Sequence, residues 1–267
     1  MANAIILMTI PGIGTQEKGY SNGMVDDIKK FSKKTALEGN IRFIETRPFG
    51  VTHVDNNQEE LFNRLDKANK MGGILSLRKF VLEAFGDGVT FERGAHLPDS
   101  TYRKIHTYLK GEIEEANSII QGYEKAKLVI VGSSLGVHIL STYIWDADNG
   151  KNIFENEPAN NANNLSNLSF LASIGCNLPL FVSGMEESQI KPFDGSKRAA
   201  DFTWDNYYDK DDVLGWPLKQ MSPEYDKLVT DYQINTGLYI GSHVRYWKDN
   251  DFTKPFTRKL VEMFEGI

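Results

Sequence analysis

Two hydrophobic periods alternate along this chain, one suited to buried strands and one to helices. Ala4 to Ile10 is apolar at every position but Thr9 and has the length of a strand, closed by Pro11-Gly12-Ile13-Gly14. Between Asn22 and Lys34, Met24, Ile28 and Phe31 recur at helical spacing. Ile41, Phe43 and Ile44 mark a second strand within Ile41 to Pro48. Gln58 to Asn69 and Ile74 to Phe85 read as two helices parted by Gly72-Gly73, with Val89-Thr90-Phe91 as a short strand after them. From Ser100 to Tyr123, Tyr102, Ile105, Leu109, Ile113, Ala116 and Ile120 lie on one helical face, which predicts a long amphipathic helix. A strand over Ala126 to Val131 and an apolar helix over Val137 to Trp145 follow. Asn152 to Asn167, rich in Asn, Glu and Pro, is expected to be a loop. Leu168 to Gly175 and Phe202 to Tyr208 read as strands on either side of a polar excursion, Ser183 to Ala200. Thr236 to Ile240 reads as the last strand and Thr253 to Phe264 as a closing helix.

Strands separated by helices require crossover connections. The expected fold class is therefore α/β, with a mainly parallel, doubly wound sheet covered on both faces. No repeat and no linker divides the chain, so residues 1–267 are read as one domain. The insert at about 67–98 is either a cap over one end of the sheet or an ordinary pair of surface helices. Its segment from Met71 to Phe85 holds more apolar positions than one stripe requires. Either that helix is fully buried, or it carries a second apolar face that lines an acyl site.

Composition narrows the function. The chain has 267 residues, 25% of them charged and 40% hydrophobic, which is ordinary for a globular domain of this size. A net charge of −6, with acids and bases mixed along the chain, argues against nucleic acid or an anionic membrane as partner. The single cysteine, Cys176, excludes an internal disulfide and a cysteine-based zinc site. The Ala4-Ile5-Ile6-Leu7-Met8 run is short, without a basic leader or a cleavage site, and reads as a strand and not a signal peptide. No apolar stretch approaches the ~18 residues of a membrane span. A cytoplasmic setting is expected.

The candidate chemistry starts at Gly132-Ser133-Ser134-Leu135-Gly136, which joins an apolar strand to an apolar helix. In that context a G-x-S-x-G turn lifts its middle serine, Ser134, onto a helix N-terminus at the carboxyl edge of the sheet. The glycines permit the tight backbone and the close approach of helix to strand. A serine hydroxyl is a poor nucleophile and needs a base, usually a histidine held in the right tautomer by a carboxylate. In a doubly wound sheet the site lies beyond the carboxyl ends of the strands. His243, just after the expected last strand, is the candidate base. His53 and His96 fall in polar loops, His106 on the outer part of the long helix, and His138 one turn past Ser134, facing inward as a packed residue. For the acid, Asp209, Asp211 and Asp212 crowd the end of the Phe202–Tyr208 strand. Asp212 leads because the apolar Val213-Leu214 would anchor the chain and turn the preceding carboxylate inward; Asp209 is the alternative and Asp211 comes third. The cluster lacks the spaced ligands and distant Glu of a calcium loop. An oxyanion hole needs two backbone N–H donors. Leu135 is one candidate and Ile13 the other, with Gly14 as fallback. The Pro11–Gly14 turn lacks the Gly-Lys-Ser/Thr end of a phosphate loop and the third glycine of a dinucleotide fingerprint.

Taken in order, these segments resemble the α/β-hydrolase superfamily, and its lipase-like serine esterases in particular. Gly132 to Gly136 looks like the nucleophile elbow of that family. Pro11-Gly12-Ile13-Gly14 is similar to its His-Gly-x-Gly oxyanion segment, with Pro11 where His is usual. Gly175-Cys176-Asn177-Leu178-Pro179 is similar to the strand end that follows the elbow in many lipases. Asp212-Val213-Leu214 looks like the family's acid with its two apolar followers, and His243-Val244-Arg245-Tyr246-Trp247 is similar to the His-x-x-Tyr-Trp run that carries its base. Ser133 stands where His or Tyr usually precedes the nucleophile. The resemblance implies an α/β-hydrolase fold and hydrolysis of a small-molecule carboxylic ester, acyl or lipid esters included. It implies a Ser134–Asp212–His243 triad and no metal or organic cofactor. An amidase, thioesterase or acyltransferase would use the same triad. A catalytically silent hydrolase fold serving as an interaction module is the non-enzymatic rival.

Overall fold

The computed structural model describes residues 2–12, 14, 16–52, 54–69, 75–92, 95, 97–158, 162–237 and 240–267. Its first strand, β1 (Ala4–Ile10), is buried at every position. It leads through α1 (Asn22–Phe31) to β2 (Ile41–Glu45). Two helices, α2 (Val54–Asn69) and α3 (Leu75–Glu92), intervene before the long helix α4 (Thr101–Ile120). Then come β3 (Ala126–Ser133), α5 (Leu135–Asn149), β4 (Leu168–Ile174) and the short α6 (Leu178–Val182). The chain closes through β5 (Thr203–Asp209), α7 (Pro223–Leu228), β6 (Val229–Ile234), α8 (Ile240–His243) and α9 (Asn250–Glu265).

Among the described residues the strands form one six-stranded sheet in the order β2-β1-β3-β4-β5-β6, and all neighbours run parallel. Side chains alternate across a strand, so each strand feeds two cores. Ile5, Leu7, Val129 and Val131 pack with Met24 and Ile28 of α1 and with Phe252, Phe256 and Leu260 of α9. Ala4, Ile6, Met8, Leu128 and Ile130 pack with Ile105, Leu109 and Ile113 of α4 and with Ile139, Leu140 and Tyr143 of α5. Helices therefore cover both faces, as the doubly wound reading requires. The predicted stripe of α4 is the buried one, and Ser100 caps that helix by accepting a hydrogen bond from the Arg103 amide. No helix among the described residues is long and apolar enough to cross a membrane.

Four expectations need correction. Val89-Thr90-Phe91 is the last turn of α3 and not a strand. Phe91 is fully buried there, its ring 4.7 Å from that of Tyr102, so tertiary packing overrides the β-branched composition. The last strand is Val229–Ile234, and residues 236 and 237 lie beyond it. That edge strand carries Thr230, Asp231 and Gln233 and, among the described residues, pairs with β5 alone, so it shows no apolar run. His106 is not on the outer part of its helix but wholly buried. The apolar helix of the insert is not fully buried either: Val81, Phe85 and Val89, four residues apart, are 44%, 52% and 65% exposed. Gly72-Gly73, His53 and His96 fall outside the described residues, as do the side chains of Leu77 and Phe80.

Candidate active site

The turn between β3 and α5 is made by Ser134, whose φ of 50° and ψ of −124° are unusual for a residue with a side chain. Such a conformation costs roughly 1–3 kcal/mol and persists only where its surroundings impose it. Here they do. The Ser134 amide donates to the Ile174 carbonyl at 3.0 Å, tying the turn to β4. A Cβ on Gly136 would stand 2.5 Å from the Ile10 carbonyl oxygen, and one on Gly132 would meet Val137 at 3.1 Å. Only glycines let the α5 N-terminus pack this closely on β1 and β3. Leu135 opens α5, so its N–H has no acceptor within the helix and sits at the positive end of the helix dipole.

Ser134, His243 and Asp212 come from three separate chain segments, after β3, β6 and β5, and meet at the carboxyl end of the sheet. His243 Nε2 lies 2.9 Å from Ser134 Oγ. His243 Nδ1 lies 2.9 Å and 3.0 Å from the two oxygens of Asp212. A carboxylate only accepts, so Nδ1 carries the proton and Nε2 is left to accept from the serine hydroxyl. All three side chains are buried. Two glycines make room for them. A Cβ on Gly175, which has φ 54°, would stand 3.3 Å from both His243 Nδ1 and Asp212 Oδ2, and one on Gly215 would overlap Asp212 Oδ2.

Asp212 is held by more than the histidine. Leu214 N–H donates to Oδ1 at 3.0 Å, and the Tyr246 hydroxyl donates to Oδ2 at 2.9 Å. The same hydroxyl accepts from the Asp209 amide at 2.9 Å. Burial, with Asp212 beside it, pushes the Tyr246 phenol far above its ordinary range, so it remains a donor. Sequence reasoning assigned Tyr246 no role; its place three residues after His243 was the available signal. The proposed anchor, Val213-Leu214, works through one residue only. Leu214 is buried, whereas Val213 is 52% exposed.

The alternative acid is engaged elsewhere. Asp209, the alternative acid, is buried and accepts from the Thr236 amide (2.6 Å), the Thr236 hydroxyl (3.1 Å), the Ser242 hydroxyl (2.9 Å) and the Asp211 amide (2.9 Å). It ties the end of β5 to the segment that bears His243. Burial alone would raise its pKa, but these hydrogen bonds outweigh burial and hold the carboxyl below the ordinary range. Asp211 contributes its amide to that tether.

The first loop lies against the serine. A Cβ on Gly12 would be 2.6 Å from Ser134 Cβ and 3.2 Å from Ser134 Oγ. The fallback oxyanion donor is already engaged: Gly14 N–H donates to Asp87 Oδ2 at 2.7 Å. Ile13, the preferred donor, falls outside the described residues. His138 is packed as expected, its Nε2 2.6 Å from Glu92 and its ring stacked on Phe181 at 3.9 Å. His106 forms a second histidine–aspartate pair, with Nδ1 3.5 Å from Asp146 and Nε2 3.3 Å from the Thr142 hydroxyl. That group is sealed in the core, where burial lowers the His106 pKa and keeps the ring neutral. Among the described residues no group of three or more His, Cys, Asp or Glu side chains is arranged to hold a metal ion.

No protein-family model matches the sequence, and no curated protein matches it. In overall structure the chain is similar to an uncharacterised protein of Bacillus cereus ATCC 10987, at 10% identity and a TM-score of 0.46, covering 98% of this chain and 60% of that one. It is similar to a dienelactone hydrolase from Anabaena variabilis ATCC 29413, at 13% identity and a TM-score of 0.44, covering 99% of this chain and 87% of that one. It is also similar to the RedJ thioesterase of Streptomyces coelicolor, at 9% identity and a TM-score of 0.44, covering 98% and 88%. With a parallel sheet in the order β2-β1-β3-β4-β5-β6, helices on both faces and an elbow after β3, the chain has the α/β-hydrolase fold.

Proposed function

We propose that this protein is a serine hydrolase of the α/β-hydrolase superfamily that cleaves carboxylic esters. The observation that carries the reading is the unbroken hydrogen-bonded line from Ser134 Oγ through His243 to Asp212. In this mechanism Ser134 Oγ attacks the acyl carbon while His243 Nε2 takes its proton. The carbonyl oxygen becomes an oxyanion, stabilised by the N–H groups of Leu135 and Ile13. Each such donor is worth roughly 10²–10³ in turnover. Collapse breaks the ester bond; His243 returns the proton to the departing alcohol, leaving Ser134 acylated. Water then attacks the acyl carbon, His243 takes its proton, and the acid departs as Ser134 Oγ is reprotonated. Asp212 keeps His243 in the productive tautomer and stabilises the imidazolium. No step calls for a metal or organic cofactor.

In this reading residues 1–267 form one hydrolase domain, and residues 67–98 contribute its cap. Support for the cap comes from α3, whose Asp87 reaches the loop after β1, whose Gly88 abuts Phe181 of α6 and whose Glu92 bonds His138 of α5. The substrate is a small ester, acyl or lipid esters included, and the acidic net charge of −6 speaks against nucleic acid. The buried, unpaired Cys176 suits a reducing, cytoplasmic setting.

A fluorophosphonate probe tests the reading. The probe should form a covalent adduct that peptide mass spectrometry places on Ser134. The Ser134→Ala variant should lose both the adduct and ester turnover, while Ser133→Ala keeps most of each. A folded Ser134→Ala protein with wild-type turnover would overturn the proposal.

A further inference from the structure

We propose that Asp87, in the insert helix α3, is a positioning residue that fixes the oxyanion loop beside Ser134 and couples it to α2 and α3. The inference rests on the hydrolase reading above. Asp87 is fully buried, although aspartate is a residue that burial penalises unless its oxygens are satisfied. Its Oδ2 accepts from Gly14 N–H at 2.7 Å, and its Oδ1 accepts from Gln58 Nε2 of α2 at 2.8 Å. One carboxylate thus joins the loop after β1 to two helices that are remote in sequence.

The consequence for chemistry follows from the loop's length. Gly12 is in contact with Ser134, since even a Cβ there would collide with it. Gly14 is held by Asp87 in a left-handed conformation, φ 79°, which suits glycine. One residue separates them, and it is Ile13, the proposed second donor to the oxyanion. Fixing Gly12 and Gly14 relative to Ser134 is the kind of preorganisation an oxyanion hole needs. The arrangement also accounts for Gly14, whose amide is spent on the anchor and is not available to the substrate.

The choice of aspartate supplies the test. Gly14 N–H and Gln58 Nε2 both donate to it, so both oxygens accept. Asparagine keeps one acceptor and brings an NH₂ group. Gln58 Oε1 is buried without a partner, and rotation of the Gln58 amide would present it to that NH₂. Asp87→Asn therefore preserves these two bridges while removing the charge, whereas Asp87→Ala removes both bridges. Steady-state kinetics on a short-chain ester and hydrogen exchange at the Gly14 amide, read by NMR, are to be measured on all three proteins. We expect Asp87→Ala to lose roughly 10- to 100-fold in kcat with KM nearly unchanged, as misplaced catalytic groups do. Its Gly14 amide should exchange fast. Asp87→Asn should keep wild-type kcat and a protected Gly14 amide. Several results overturn the inference alone: an active wild type with Asp87→Ala equally active, a folded Asp87→Asn variant with kcat lowered roughly tenfold or more, or a Gly14 amide unprotected in the wild type. Should Asp87→Ala not fold, the last two measurements still decide. A wild type that neither turns over esters nor takes up the fluorophosphonate overturns the hydrolase reading itself, and this role with it.

Discussion

Replacing Tyr246 by phenylalanine should separate stability from chemistry. The ring is fully buried and stays in place, so the substitution deletes one oxygen and little else. That oxygen donates to Asp212 Oδ2 at 2.9 Å and accepts from the Asp209 amide at 2.9 Å. A hydrogen bond to a charged group contributes roughly 1.5–3 kcal/mol, and a buried amide left without an acceptor costs roughly 1–3 kcal/mol. A water molecule entering the vacated space would recover part of the second amount, so the expected loss is about 2–4 kcal/mol. For a chain of this size that corresponds to a fall in Tm of roughly 4–16 °C. Turnover should suffer far less. Asp212 keeps Leu214 N–H and His243, and a carboxylate with one donor fewer binds the imidazole at least as well. We expect kcat within roughly tenfold of wild type, in contrast with the far larger effect of removing a triad member. Calorimetric melting and ester kinetics on the same preparation measure both quantities. An unchanged Tm, or a kcat lowered more than a thousandfold in a protein that melts normally, would refute the argument that this phenol acts by supporting Asp212.

Two further predictions concern the aspartates. Asp212→Asn should lower kcat by roughly 10⁴, because it favours the wrong tautomer of His243 and removes the charge facing the imidazolium; Asp211→Asn should leave kcat nearly unchanged, and the reverse order in steady-state kinetics would reassign the acid. Asp209→Asn should act on stability. Its folded pKa lies below the unfolded value of about 3.9, so its stabilisation is complete above that value and is lost as pH falls through the folded pKa. Urea midpoints measured between pH 6 and pH 2 should drop less steeply at the acid end in Asp209→Asn than in wild type, and identical slopes would show that the tether to Thr236 and Ser242 is not charge-dependent.

Much of this architecture is written in short-range pattern. The runs at Ala4–Ile10 and Ala126–Ser133 are apolar on both faces, which only a central strand of a covered parallel sheet requires. The stripe of α4 and the strand–glycine–helix join at Ser134 are equally local, because periodicity and backbone sterics act over a few residues. Ser134 and His243 could be singled out as candidates from that join and from chain order, whereas the acid stayed among Asp209, Asp211 and Asp212.

What lay beyond the sequence is everything that depends on which surfaces meet. Val89-Thr90-Phe91 has strand-like composition, yet Phe91 finds its place against Tyr102, and the segment is helical. The edge strand β6 is polar because water covers what a central strand would bury, so its pattern carried no signal. Three aspartates stand within four positions, and no property of the string says which carboxylate turns toward His243. That is decided by Leu214 N–H and the Tyr246 hydroxyl holding Asp212, and by Thr236 and Ser242 drawing Asp209 away. Asp87 and Gly14 lie 73 positions apart, and their hydrogen bond exists only once two helices have packed over the first loop. Local sequence determines which faces are apolar and where the backbone can turn; long-range packing alone determines which polar groups, once buried, find one another.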